Sequence, residues 1–187
     1  MNKHEQNQKN FLTDKLNEYT DTRKAKVLEI GIGTGRIGRK IADKVREYKG
    51  IDPIEEKVEK ARENKPKEAK VEYKQGNAVD VPFEEQFDVI LYINSWHYIK
   101  DHDQAISEAK RLLSSDGVVI ITEPTEYTTN WDAPQLKKDS EEFDKEIYNQ
   151  KMKNIKDSEE NLRNQKVFDI KEEGFLGKKN NKFYILK

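Results

Sequence analysis

The sequence contains no cysteine, which removes disulfides, thiolate metal sites and a cysteine nucleophile together. An excess of one charge sign is missing too. The 35 basic and 36 acidic residues are interspersed, for a formal charge of -1, so no broad positive field gathers a polyanion over the surface. A nucleic-acid partner is therefore not expected, and no metal site is read. No apolar run approaches the roughly 20 residues needed to span a bilayer. The opening MNKHEQNQKNF also lacks the apolar stretch of a signal peptide. The expectation is a cytoplasmic protein with no membrane partner.

What is present is organised. Of 187 residues, 34% are hydrophobic and 38% charged, which is polar for a globular chain, yet the apolar residues gather in short runs. Disorder is expected only at the ends and in one late stretch. The length suits one core, so a single domain over residues 1–187 is expected.

Apolar runs alternate with helical patterns, the signature of an α/β fold with a parallel sheet and crossover helices. Lys26 to Ile32 (KVLEIGI) reads as a buried central strand. Ile37, Ile41, Ala42 and Val45 then recur at helical spacing, giving a first crossover helix over Arg36 to Glu47. Tyr48 to Asp52, Val71 to Gln75, Phe87 to Ile93 and Val118 to Thr122 read as further strands. A helix follows Asp52, and another runs from His102 to Ser114, with Asp101 and Gln104 as its capping pair. From about Pro134 to Gln165 the chain is nearly all polar, with Phe143, Ile147, Met152 and Ile155 as a thin stripe, which reads as surface helix. Lys166 to Lys171 and Lys182 to Leu186, separated by Gly174, Gly177, Asn180 and Asn181, read as a closing antiparallel pair.

The chemistry concentrates after the first strand, in EIGIGTG (Glu29 to Gly35). Side chains at Gly31 or Gly33 are expected to occupy space that a ligand needs. The turn should also present free amides at a helix N-terminus, which suits an anionic or electron-rich group. Asp52 ends the second strand, where a carboxylate can accept from both hydroxyls of a ribose. It is also placed to cap a helix beginning at Pro53, with Glu55 completing the box. Gly33, Gly35 and Gly38 satisfy G-x-G-x-x-G as well, so a nicotinamide or flavin dinucleotide is the rival ligand.

Five segments in order decide between these ligands: VLEIGIGTG (Val27 to Gly35), GIDP (Gly50 to Pro53), GNAVDVPF (Gly76 to Phe83), FDVILYINSWHYIKD (Phe87 to Asp101) and AKRLLSSDGVVIITEP (Ala109 to Pro124). The stretch from about residue 26 to 124 resembles the class I S-adenosylmethionine-dependent methyltransferases. That resemblance implies a Rossmann-like three-layer sandwich around a mostly parallel seven-stranded sheet with a C-terminal antiparallel strand pair. It also implies S-adenosylmethionine as cofactor and S-adenosylhomocysteine as product. By the same resemblance, Glu29, Gly31 and Gly33 surround the methionine part, and Asp52 holds the ribose. Pro53 and Ile54 lie against the adenine, Asn77 and Ala78 read its edge, and Asn94 passes the reactive end. Asn77 departs from the family's usual aspartate, though an amide oxygen can accept from the adenine amino group.

Methyl transfer from a sulfonium chiefly needs alignment, and a dedicated base is optional. If the acceptor must lose a proton, His97 is the first candidate and Tyr127 the second, with a packing role as the alternative for His97. Trp96, Tyr98, Tyr127 and Trp131 either wall a substrate pocket or serve the core. Residues 1–24 read as an N-terminal helical segment and 125–165 as a polar helical insertion, both placed as lid elements or plain surface helix. A small-molecule substrate is the expected partner, with protein side-chain methylation, a nicotinamide-dependent oxidoreductase and a non-catalytic S-adenosylmethionine-binding protein as alternatives. The oligomeric state is not legible.

Overall fold

The computed structural model describes residues 3–126, 128, 134–138, 140–176 and 181–187, with side chains for all of these but residues 3–5 and 134. Seven strands form one sheet in the order β3-β2-β1-β4-β5-β7-β6. They are β1 Lys26–Ile30, β2 Glu47–Asp52, β3 Val71–Gln75, β4 Phe87–Ile93, β5 Leu113–Pro124, β6 Ile170–Leu176 and β7 Asn181–Leu186. The first five are parallel, and β7 joins antiparallel to both β5 and β6. The mostly parallel sheet with a closing antiparallel pair is thus as the sequence predicts.

Alternation along the strands divides the core into two faces. On one face Leu28, Ile90, Val119 and Tyr184 pack beneath α4 (His102–Leu112) and the end of α5 (Lys145–Asn164). The amphipathic spacing of α4 delivers Ala105, Ile106, Ala109 and Leu112 to that face. On the other face Val27, Val89, Ile120 and Ile185 meet α1 (Lys3–Tyr19), the single turn α2 (Gly38–Ile41) and α3 (Glu55–Glu63). The result is the expected three-layer sandwich.

Several boundaries differ from the sequence reading. The helix expected over Arg36 to Glu47 is only α2 plus a 3-10 turn at Ala42–Lys44, because Ile41 leaves the helical region at φ -131°. That turn and a half already buries Ile37, Ile41 and Ala42, so the apolar stripe is satisfied without more helix. Helix α4 ends at Leu112, and Leu113 enters β5 opposite Phe87. The sixth strand starts at Ile170 rather than Lys166, since the Gln165 side chain accepts from the amides of Val167 and Phe168, both at 2.8 Å, and turns the chain there. Gly174 lies inside β6 opposite Phe183 instead of separating two strands. The expected turn residues Gly177 and Asn180 lie outside the described residues.

Helix α1 is no loose cover. Leu12 and Leu16 are fully buried, and Phe11 packs on Phe183 with ring centroids 4.7 Å apart. Helix α5 buries Tyr148, Lys151, Ile155, Ser158 and Leu162, whereas Ile147 is 49% exposed. Its buried stripe therefore runs one residue away from the expected one at Ile147 and includes a lysine and a serine. Among the described residues no helix is long and apolar enough to cross a membrane.

Candidate functional site

Strand order reverses between β1 and β4, and a crevice opens there at the carboxyl ends of the parallel strands. A cavity of about 970 Å3 occupies it. Its lining includes Glu29, Gly31, Gly33, Asp52, Pro53, Ile54, Asn77, Ala78 and Asn94. All nine residues expected around a cofactor thus meet in one place.

Register explains the first part of this convergence. Ile30 pairs with Ile51, which sets Asp52 level with Gly31 just past the sheet. The amides of Gly31 and Ile32 both donate to the Ile51 carbonyl, at 2.8 and 3.0 Å. Asp52 then accepts from the Gly33 amide through Oδ2 at 2.9 Å and from the Ile54 amide through Oδ1 at 3.1 Å. These bonds correct the expectation of free loop amides. The turn after β1 satisfies most of its own donors, and α2 begins only at Gly38, so the loop itself presents few free amides, while Ile54 at the N-cap of α3 lines the cavity. Asp52 does not cap α3 either, since that helix starts at Glu55 with Ile54 at its N-cap and no side-chain cap bond.

The two glycines serve different ends. Gly31 has φ +85°, and a Cβ there would lie 2.5 Å from Ser95 Cβ. Its bareness admits the β4 loop rather than a ligand, contrary to the sequence expectation. Gly33 has φ +53° and nothing within 4 Å of its Cβ position, so at this residue the bare backbone does face open space.

Beneath the turn lies Glu29, 1% exposed, accepting from Tyr48 Oη at 2.7 Å. Burial pushes its carboxyl up to about 7, against the pull of the Tyr48 bond and the Arg36 charge. A buried acid poised near neutrality at the edge of a cavity suits a cationic ligand group. At the far side Asn94 sits in the left-handed region at φ 57°. Its Oδ1 accepts from Asn181 Nδ2 at 2.6 Å, and Asn181 Oδ1, buried in the cavity wall, has no partner among the described residues.

The 3-10 turn Trp96–Tyr98 after β4 separates its aromatics. Trp96 is 1% exposed, stacks edge-on with Tyr92 and donates from Nε1 to the Ser158 carbonyl at 3.2 Å, so it serves the core and not a pocket wall. Tyr98, 68% exposed, lines the cavity. His97 also lines it, with Nδ1 bonded to Glu123 and Nε2 to Lys151. Both ring nitrogens are thus engaged. Tyr127 and Trp131 lie outside the described residues.

Sequence reasoning missed Lys151, Glu123 and Asn181. Lys151 is buried and lines the cavity, and Nζ donates to Tyr98 Oη as well as meeting His97. Burial lowers its ammonium to about 8 against the opposing charge of Glu123. Glu123 is 4% exposed and also accepts from the Trp96 amide at 3.0 Å. The available signals were Glu123 at the end of the fifth strand and the helical spacing of Lys151 with Tyr148 and Ile155.

A family model described as a methyltransferase domain matches residues 28–121. An uncharacterized methyltransferase of Staphylococcus carnosus is 32% identical over 141 residues, which cover 73% of this chain and 64% of that protein. The chain therefore spans less than two thirds of that relative's length. The solved S-adenosylmethionine-dependent methyltransferase from Clostridium acetobutylicum superposes with a TM-score of 0.67 over 97% of this chain and 91% of that one, at 15% identity. CalS10, an S-adenosylmethionine-bound amino pentose methyltransferase from Micromonospora echinaspora, superposes with a TM-score of 0.56 over 64% and 50% of the two chains, at 17% identity. These two structures are likenesses of fold.

Proposed function

Because the chain belongs to the class I S-adenosylmethionine-dependent methyltransferases, we propose that its crevice binds S-adenosylmethionine and that the methyl group passes to a small-molecule acceptor by in-line displacement. The observation that carries this reading is the convergence of the open space at Gly33, the Asp52 carboxylate and the buried Glu29 in one cavity.

The residues present fit the cofactor. Each Asp52 oxygen accepts one amide and retains a lone pair for a ribose hydroxyl. Ile54, 47% exposed at the cavity rim, offers with Pro53 an apolar surface for the adenine. Ala78 is buried and Asn77 exposed beside it, so the amide can reach the adenine edge. Glu29, Gly31 and Gly33 then border the methionine part, and Asn94 the reactive end. When bound, the cofactor supplies an electrophilic methyl group on a sulfonium. The chain's task is to fix its position and to keep the acceptor's approach in line with it.

A small acceptor is supported by the cavity itself. Its volume of about 970 Å3 stands at the upper end of the roughly 300 to 1,000 Å3 of ligand pockets. Beyond the cofactor residues it extends along Tyr98, Thr128, Leu136, Lys151 and Asn181, which leaves a second compartment. To test this, purified protein with S-adenosylmethionine is offered a panel of small amines, phenols and carboxylic acids, and in parallel a peptide library. S-adenosylhomocysteine release is read in each case. Release stimulated by a small acceptor is the expected result; release with peptides alone overturns the small-molecule reading.

A further inference from the structure

Among the described residues, the polar groups that meet Lys151 can be given roles from their neighbours. The Glu123 carboxylate, already accepting from the Trp96 amide, is an acceptor toward His97. His97 therefore carries a proton on Nδ1 toward Glu123, and in the neutral imidazole its Nε2 is the bare nitrogen that meets Lys151 Nζ. Tyr98 Oη takes a second N–H of the same amine. The chain Glu123, His97, Lys151 runs from buried β5, through the turn after β4, to the wall of the acceptor compartment. Its imidazole cannot bind a substrate proton through either nitrogen without giving up a partner. The lysine brings the chain to the cavity wall.

We propose that Lys151 is the proton acceptor of the transfer, that His97 and Glu123 are its positioning residues, and that the acceptor substrate enters carrying a proton, as an ammonium or a phenol. This rests on the methyltransferase reading of the same cavity. The acceptor's N–H or O–H bond breaks and its electron pair stays on the acceptor atom as the nucleophilic lone pair. The proton joins Lys151 Nζ and leaves to water after turnover. No oxidant or reductant enters. Once charged, the ammonium is compensated by the Glu123 carboxylate behind the imidazole, so the step converts a buried amine into half of a buried ion pair. Burial already holds Lys151 near 8, and a sulfonium in the adjoining compartment repels its proton further.

Two measurements decide it. The first needs no acceptor: competitive labelling of the whole protein with acetic anhydride from pH 6 to 11, the Lys151 peptide being read by mass spectrometry. The titratable groups facing Lys151 among the described residues are His97 and Tyr98 on the turn and Glu123 on β5. The expected midpoint is near 8, moving lower in Glu123→Gln because a carboxylate favouring the ammonium is gone. A wild-type midpoint above about 10, the ordinary lysine value, overturns the proposal.

The second uses an acceptor found in the panel. Lys151→Met and Lys151→Arg should each lower kcat by about 100-fold or more with S-adenosylhomocysteine affinity unchanged, and Glu123→Gln should shift the pH profile. Arginine keeps the charge but cannot be deprotonated, so wild-type turnover in Lys151→Arg would reduce the lysine to an anion-binding group and reject the proposal. Absence of S-adenosylhomocysteine binding to the wild type would instead defeat the cofactor reading, while the labelling midpoint still judges Lys151.

Discussion

Glu29 carries a cost of burial that the Tyr48 bond and the Arg36 charge offset only in part. Folded, it holds its proton up to about pH 7, whereas the unfolded chain releases it near the ordinary carboxylate value of 4.5. The folded state therefore binds more protons between those values and loses stability as pH rises through that window, by roughly 3 kcal/mol in all. Glu29→Gln should raise Tm by several degrees at pH 8 and leave it nearly unchanged at pH 4, below the window, as thermal unfolding would record. The same substitution should weaken a cationic ligand. Binding of the cofactor ammonium selects the ionised acid, so affinity in the wild type should rise as pH climbs from 6 to 8, and that slope should vanish in Glu29→Gln. Gly33→Ala places a methyl in the open space at φ +53°. It should destabilise the fold by about 1 to 2 kcal/mol and weaken S-adenosylhomocysteine at least tenfold by calorimetry. At this scale the glycines and acids were legible because turn conformation and strand ends leave marks in sequence. The partners of His97 were not, because Glu123 and Lys151 lie 26 and 54 residues away from it.

Helices α1 and α5 were the elements least legible, and for one reason. Both are so polar that a narrow buried stripe hides among charges, and in α5 two of its five buried positions are Lys151 and Ser158. A serine whose Oγ donates back to the Ile155 carbonyl at 2.8 Å needs no outside partner and can be buried. For α1, placed as lid or plain surface helix, Leu12 and Leu16 reach the core. Leu16→Ala should lower the unfolding free energy by about 2 to 5 kcal/mol, measured by urea titration, whereas a loosely attached helix would leave the midpoint unchanged. For α5, Asp144 accepts from the amides of Glu146 and Ile147 at 2.8 and 3.0 Å. Asp144→Ala should cost about 1 kcal/mol and, by fraying the helix that delivers Lys151, reduce turnover as well. The strands fared better, since β1 and β4 are nearly wholly buried and read as unbroken apolar runs.

Across the whole molecule, the alternation of runs announced a parallel sheet with crossover helices, whereas the three layers came with the family resemblance and the reversal between β1 and β4 emerged only from the strand order. The crevice places acids from two strands and glycines from one turn around a single space, for which we propose S-adenosylmethionine as the ligand. The far compartment depended on α5 and β7 returning over the sheet, a long-range closure with no local trace. The central claim is that Asp52 holds an adenosyl compound against the Gly33 turn. Its most direct test is calorimetric titration of S-adenosylhomocysteine into the wild type and into Asp52→Ala. The account predicts saturable one-to-one binding by the wild type and at least a tenfold loss, about 1.4 kcal/mol, in the variant. An absence of heat with the wild type, or equal affinities for both proteins, would contradict it.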